Sequence, residues 1–207
     1  AGVYYPDKTR VGWWKNGYPE YFAKVLNAVN IMGLKVSVNG KAVDLNTWEV
    51  VDFKRELDMQ HGVLSRTMLL KHGEEEIKVE SKRFFSIVDK EIAALQYTVT
   101  PVNFEAEIII ESYLDADVEN EDSNYDEKFW LPVEHGIEER FGYVTSKTKK
   151  LDWHVTAAMI TDVEGARCEV VDGNTQYVAN RFTKQAVVGE GVTVEKFVAL
   201  VTNRDYD

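Results

Sequence analysis

The chain holds one cysteine, Cys168, among its 207 residues, so no disulfide can form within it. A lone cysteine in the strand-like stretch that follows Arg167 reads as a small buried hydrophobe, which suits a reducing, cytoplasmic setting. Positive charge is also scarce. Lys and Arg number 24 against 35 Asp and Glu, for a net charge of −11. A nucleic-acid partner needs a basic surface that displaces counterions from phosphates, and none is available. Nor is there a basic amphipathic stretch for an anionic membrane. The longest apolar runs, such as Ile108–Ile110, are far too short to cross a bilayer, and no signal-peptide pattern opens the chain. Neither nucleic acid nor membrane is expected as a partner.

Catalytic signatures are equally thin. The histidines, His61, His72, His135 and His154, have no metal-ligand spacing. There is no G-x-S-x-G elbow, no phosphate-cradling Gly-rich loop and no dinucleotide fingerprint. The acidic run Asp115-x-Asp117-x-Glu119-x-Glu121 resembles a calcium loop, but Asn120 stands where the sharp turn of such a loop needs Gly. Glycoside chemistry needs paired carboxylates across a sugar, and nothing in the sequence nominates a pair. No metal, no cofactor and no catalytic residue is assigned.

What is present is aromatic. Val11–Phe22 (VGWWKNGYPEYF) carries Trp13, Trp14, Tyr18, Tyr21 and Phe22, with Tyr4 and Tyr5 just upstream. Gly12, Gly17 and Pro19 punctuate it as turns do. Large aromatics on such a segment plug a core or domain interface, or wall a ligand site. Residues 1–33 are therefore expected to form an aromatic-rich, irregular opening segment. Within it Tyr18, Tyr21, Phe22, Val25, Leu26 and Val29 fall at helical spacing, while Asn27, Asn30 and Gly33 weaken that pattern; a short helix and an irregular packed segment both stay open.

From Leu34 onward the chain reads as strand after strand. Leu34–Val38 ends at Asn39-Gly40, the strongest short hairpin signal. Further strands are expected at 48–57, 63–70, 77–87, 93–100 and 106–114. Ile77, Val79 and Ser81 alternate with Lys78, Glu80 and Lys82, so one face is wet. Residues 115–136 break the rhythm as an acidic surface excursion, in which Tyr125, Phe129 and Trp130 are expected to anchor the loop to a neighbouring surface. Strands resume at 137–146, 153–161, 167–171, 181–188 and 192–201, the last two joined by a hairpin at Gly189-Glu190-Gly191. The expected fold is all-β, a large antiparallel β-sandwich in one domain over residues 1–207.

Four stretches carry a family resemblance: Gly2–Asn30, Glu56–Thr67 (ELDMQHGVLSRT), Ser81–Pro101 (SKRFFSIVDKEIAALQYTVTP) and the continuing Asn103-Phe104. The LDM–x–x–GVL–x–R, RF–x–S and YTVTP–x–N patterns are similar to the N-terminal domain of glycoside hydrolase family 65, and Gly2–Pro19 points to its maltose-specific branch rather than those acting on kojibiose or trehalose. The resemblance implies a galactose mutarotase-like supersandwich placed before an (α/α)6 catalytic barrel in a homodimeric protein. There phosphate attacks the anomeric carbon of a maltose-type disaccharide, and a barrel Glu protonates the departing glucose. The products are β-glucose 1-phosphate and glucose, with inversion. The general acid and phosphate ligands belong to the barrel, so none carries over to a position here. The chain opens at Ala1 rather than Met and lacks the family's preceding Gly-rich stretch, so it reads as an excised piece with edge strands left outside it.

Trp13, Trp14, Tyr18 and Trp130 are the candidate residues for a sugar-site rim or domain interface. The leading expectation is a non-catalytic domain that docks on its own barrel and supports the dimer. The alternatives are a free-standing carbohydrate-binding module and a self-contained hydrolase.

Overall fold

Alternation of apolar and polar residues makes ladders wherever one face can be buried, and it governs this chain almost from end to end. The computed structural model describes residues 3–206, and of Trp14 and Asp172 the backbone alone. A two-stranded hairpin, β1 (Tyr4–Lys8) and β2 (Tyr21–Val25), comes first. After β3 (Leu34–Val38) and the short β4 (Lys41–Ala42) run four long strands, β5 (Glu49–Asp58), β6 (Val63–His72), β7 (Glu75–Phe85) and β8 (Ile92–Pro101). Then follow β9 (Ala106–Asp115), β10 (Trp130–Glu138), β11 (Phe141–Thr148), β12 (His154–Val163), β13 (Arg167–Asn174), β14 (Tyr177–Ala186) and β15 (Val192–Thr202).

The strands build two facing antiparallel sheets, the sandwich expected from the sequence. One has eight strands in the order β10-β11-β12-β15-β8-β7-β6-β5, the other five in the order β13-β14-β9-β3-β4. Between them lies an aliphatic core that includes Met68, Leu70, Ile77, Val79, Ile108 and Ile110. A second cluster, with Leu114, Val144, Met159 and Val178, continues it toward β11. Asn39 and Gly40 close β3 onto β4 with φ of 49° and 75°, as a type I′ turn requires.

Several expectations need correction. The helical spacing near Tyr18 is not a helix: Tyr21–Val25 is β2, paired residue for residue with β1, so much of 1–33 is a regular hairpin rather than irregular. The stretch 137–146 is two strands, broken at Glu139 (φ 38°), whose carbonyl accepts hydrogen bonds from the Asn180 amide and, at 3.5 Å, from the Cys168 thiol. Gly189–Gly191 does not close a hairpin. It carries the chain between sheets, since β14 pairs with β9 while β15 pairs with β12 and β8. The excursion ends earlier than drawn, at Phe129, because β10 begins at Trp130.

One polar seam crosses the core. Lys196 on β15 points inward between Val194 and Val198 and is 1% exposed. Its ammonium donates to the carbonyl oxygens of Tyr113 at 2.7 Å and Gly33 at 3.1 Å, both on the opposite side of the sandwich. Beside it Thr161, its cross-strand neighbour, shares a hydroxyl hydrogen bond of 2.8 Å with Ser112 of β9. No carboxylate lies within 4.0 Å of Lys196 among the described residues. Burial therefore pushes its pKa down to about 7. Gly33 is glycine for a steric reason: a Cβ there would sit 2.3 Å from Cε2 of Tyr113.

Lys196 generates a stability prediction. Below about pH 7 the lysine is charged in both the folded and unfolded states, and the folded state carries the full burial cost. As pH rises toward the unfolded value near 10.5, only the folded state releases the proton, so stability rises with pH, by up to ~1.4 kcal/mol per unit. Lys196→Met should therefore unfold at higher temperature than the parent chain at pH 6, with a gap that shrinks by pH 9. Thermal unfolding of both chains across that range checks it, and a gap independent of pH contradicts it.

Candidate functional site

Trp13 and Tyr18 lie in the turn of the β1–β2 hairpin, and a buried lysine of that hairpin, Lys24, ties its two strands together and reaches the excursion. Lys24 faces inward on β2 between the exposed Ala23 and Val25. Its ammonium meets the buried carboxylate of Asp7 on β1 at 3.0 Å. It also reaches out to the excursion, to the Asp122 carboxylate at 3.4 Å and to the Asp122 carbonyl oxygen. Burial works against ionisation of Asp122, but the Lys24 charge and the hydrogen bonds around it outweigh that and hold the carboxyl below its usual range. The second oxygen of Asp7 has no hydrogen-bond partner among the described residues. Removing Lys24 would leave a buried charge uncompensated, a change that typically costs about 3–5 kcal/mol.

More contacts seat the excursion against the hairpin. Asn120 donates its amide to the Val25 carbonyl at 3.0 Å and accepts from the Asn27 N–H at 3.0 Å. Asn124 donates to the Lys8 carbonyl at 3.1 Å. The Tyr5 hydroxyl donates to Glu127 at 3.1 Å; burial and then that carboxylate push the phenol pKa well up. Tyr125 accepts the backbone N–H of Val11 at 2.7 Å. In the acidic run Lys128 pairs with Asp117 at 2.7 Å. Among the described residues no three His, Cys, Asp or Glu side chains converge to hold a metal ion.

The candidate residues separate into two environments. Trp13, in a single 3-10 turn over Trp13–Asn16, is 51% exposed, and Tyr18 is 59% exposed. Their ring centroids are 6.0 Å apart. The Trp14 side chain lies outside the described residues. Trp130, by contrast, is 7% exposed and belongs to a cluster with Val3, Tyr5, Leu26, Phe129 and Val155. Its indole N–H donates to the Asn27 carbonyl at 2.8 Å. Trp130 is therefore interior to this domain, and the exposed surface belongs to Trp13 and Tyr18. The sequence reading missed Asp7 and Lys24; the available signal was parity, since Lys24 shares a face with Phe22 and Leu26 across strand alternation.

Carboxylates elsewhere are arranged for structure. Glu111 on β9 accepts from Tyr177 at 2.7 Å, Arg181 at 2.8 Å and Lys35 at 3.1 Å. Burial works to raise its pKa, and those three donors more than reverse the effect. A glycosidic general acid needs the opposite, a carboxyl kept protonated near neutrality. The histidines are dispersed: His61 bonds Asp58 at 2.7 Å, His72 packs on Trp48, and His154 lies 3.4 Å from Asp152. Among the described residues no helix is long and apolar enough to cross a membrane.

The chain belongs to glycosyl hydrolase family 65 as its N-terminal domain, matched over residues 1–207. It is 39% identical to the maltose phosphorylase of Bacillus subtilis (strain 168), over 100% of this chain and 27% of that protein. It is 38% identical to the kojibiose phosphorylase of Thermoanaerobacter brockii, over 47% of this chain and 13% of the relative. The same fold occurs in a solved structure described as a putative kojibiose phosphorylase from the human microbiome. That match has a TM-score of 0.81 at 20% identity and covers 98% of this chain and 26% of the other. The chain thus spans about a quarter of the length of the full-length proteins it matches.

The two environments predict unequal mutational costs. Trp130→Ala should destabilise the chain by about 3–5 kcal/mol, as loss of a buried indole does. Trp13→Ala with Tyr18→Ala should change stability by ~0.5 kcal/mol or less, as exposed substitutions do. Urea unfolding of the two variants checks the contrast.

Proposed function

We propose that this chain is the non-catalytic N-terminal domain of a glycoside phosphorylase that splits a maltose-type disaccharide with inorganic phosphate, giving β-glucose 1-phosphate and glucose with inversion. In this reading it braces an (α/α)6 barrel and the homodimer of a longer cytoplasmic protein, and the acid and phosphate-binding groups come from the barrel. The observation that carries the reading is the 39% identity to a maltose phosphorylase along the whole chain. Glu111, the carboxylate whose donors hold it below its usual range, stays ionised and is no proton donor, which supports it.

Trp13 and Tyr18 are the surface we assign to the barrel or the sugar-site rim. Two exposed rings on a turn held at its base by a buried ion pair make a rigid apolar projection, suited to burial against a neighbour. The same two rings support a second reading, a carbohydrate-binding module that stacks sugar on aromatic faces. Saturable binding of maltose to the 207-residue chain, lost in Trp13→Ala, separates that reading from the first.

The test of the main reading is phosphorolysis. The longer protein carrying this chain should release glucose 1-phosphate from maltose only when phosphate is present, while the 207-residue chain alone releases none and hydrolyses none. Phosphate-dependent release by the 207-residue chain, abolished by a substitution within it, would overturn the assignment.

A further inference from the structure

Toward β5 the inner face of the eight-stranded sheet carries three arginines among its aliphatic side chains. On β6 the inward positions run Leu70, Met68, Arg66; on β7 they run Ile77, Val79, Ser81, Arg83. Arg55 on β5 stands directly opposite Arg66, and Ser81 stands opposite Arg66 on the other side. Tyr97 on β8 is the cross-strand partner of Ser81, and Arg83 is one inward position further along β7. Directly opposed residues have Cβ atoms about 5 Å apart and diagonal ones about 7–8 Å, within reach of a guanidinium.

These five side chains line one cavity of about 310 Å³, walled on its other side by Leu34 and Val36 of β3. No Asp or Glu lines it. Arg140, Arg167 and Arg181 each pair with a carboxylate. Arg55, Arg66 and Arg83 have none within 4.0 Å among the described residues. Burial pushes the Tyr97 phenol up, and the Arg66 charge opposes that shift. Like charges directly opposed across a ladder destabilise it. Arg55 and Arg66 are such a pair, and with Arg83 they put three arginines on the inner face of a chain with net charge −11. Arg66, Arg83 and Tyr97 belong to the LDM–x–x–GVL–x–R, RF–x–S and YTVTP stretches singled out in the sequence, and the fold brings all three segments to one cavity.

We propose that this cavity binds a small oxyanion of the phosphate class, held by the guanidinium forks of Arg55, Arg66 and Arg83 and the hydroxyls of Ser81 and Tyr97. Arginine presents planar paired donors that match phosphate oxygens, and charge-assisted bonds of this kind are the strong ones. The cavity exceeds inorganic phosphate in size and falls at the lower end of small-ligand pockets, roughly 300–1,000 Å³. It therefore admits either free phosphate or a sugar monophosphate whose ring rests on the Leu34 and Val36 wall. The site stands on residues of this chain alone and does not depend on the proposed phosphorolysis.

Isothermal titration of the 207-residue chain at low salt tests it, with inorganic phosphate, glucose 1-phosphate, glucose and acetate as separate probes. The phosphate-class probes should bind saturably below ~10 mM while glucose does not. A tighter dissociation constant for glucose 1-phosphate than for phosphate identifies the sugar ester as ligand; equal constants identify free phosphate. Arg66→Gln and Arg83→Gln should each weaken binding by about tenfold or more, the loss of a charge-assisted pair. Should Arg66→Gln fail to fold, Arg83→Gln at the exposed rim carries the test. As a second readout, added phosphate should raise the thermal midpoint of the wild-type chain more than that of Arg83→Gln at the same concentration. Absence of saturable binding, binding undiminished in Arg83→Gln, or acetate competing as well as phosphate would overturn the proposal, the last by pointing to a docked carboxylate side chain instead.

Discussion

A lysine ammonium in the middle of the core determines how the two sheets face each other. Lys196 belongs to the long sheet, yet its hydrogen-bond acceptors, the carbonyls of Gly33 and Tyr113, belong to the opposite side. An apolar sandwich core can slide, because dispersion and area burial are non-directional. A buried cation cannot, since moving away from its acceptors leaves it unsolvated in a low-dielectric interior. The neighbouring Ser112–Thr161 hydroxyl pair makes the same demand at the next step across the seam. With the sheets held there, β3 is positioned over β6 to β8. That placement creates the cavity between β3 and the arginine row.

The covering layers differ in kind at the two ends of the long sheet. Toward β10 and β12 the five-stranded sheet gives way to the β1–β2 hairpin and the excursion, whose Val3, Tyr5, Leu26 and Phe129 cover Trp130 and Val155. This cover is fastened by Lys24, which pairs with Asp7 inside the hairpin and reaches Asp122 of the excursion, rather than by ladder bonds from β1 or β2 to the main sheets. Such a pair adds little net stability over an apolar equivalent but makes its partners mutually dependent, so hairpin and excursion keep or lose their places together. Toward β5 the inner face instead carries Arg55, Arg66 and Arg83 among aliphatic side chains, facing Leu34 and Val36 of β3.

Much of the fold could be read from the residues. Strands such as Glu75–Phe85 and Ala106–Asp115 alternate cleanly, and Asn39-Gly40 names its own turn. What escaped is what local chemistry does not encode. Gly189-Glu190-Gly191 specifies a tight reversal but not which sheet receives the next strand. Glu139 turns the chain at positive φ with no glycine to signal it, because the partners that hold its carbonyl, Asn180 and Cys168, are distant in sequence. The aromatic stripe from Tyr18 to Val29 has helical spacing by composition, while β1 pairing decides the conformation. The arginine row is a matter of register: Arg55, Arg66 and Arg83 look like ordinary surface charges until strand pairing puts them on one inner face. Trp130 was legible as an anchor, but its burial within this domain rather than at its edge required the structure.

Under the proposed function, the aromatic turn exposed in this domain is the contact through which the domain meets the remainder of a longer protein. Amide hydrogen exchange compared between the 207-residue chain and that longer protein tests it most directly. New protection should concentrate in the turn between β1 and β2, around Trp13 to Tyr18, with the core strands β7 to β9 unchanged. If that turn exchanges equally fast in both, and the gain in protection appears on β13 and β14 instead, the aromatic hairpin is not the interface.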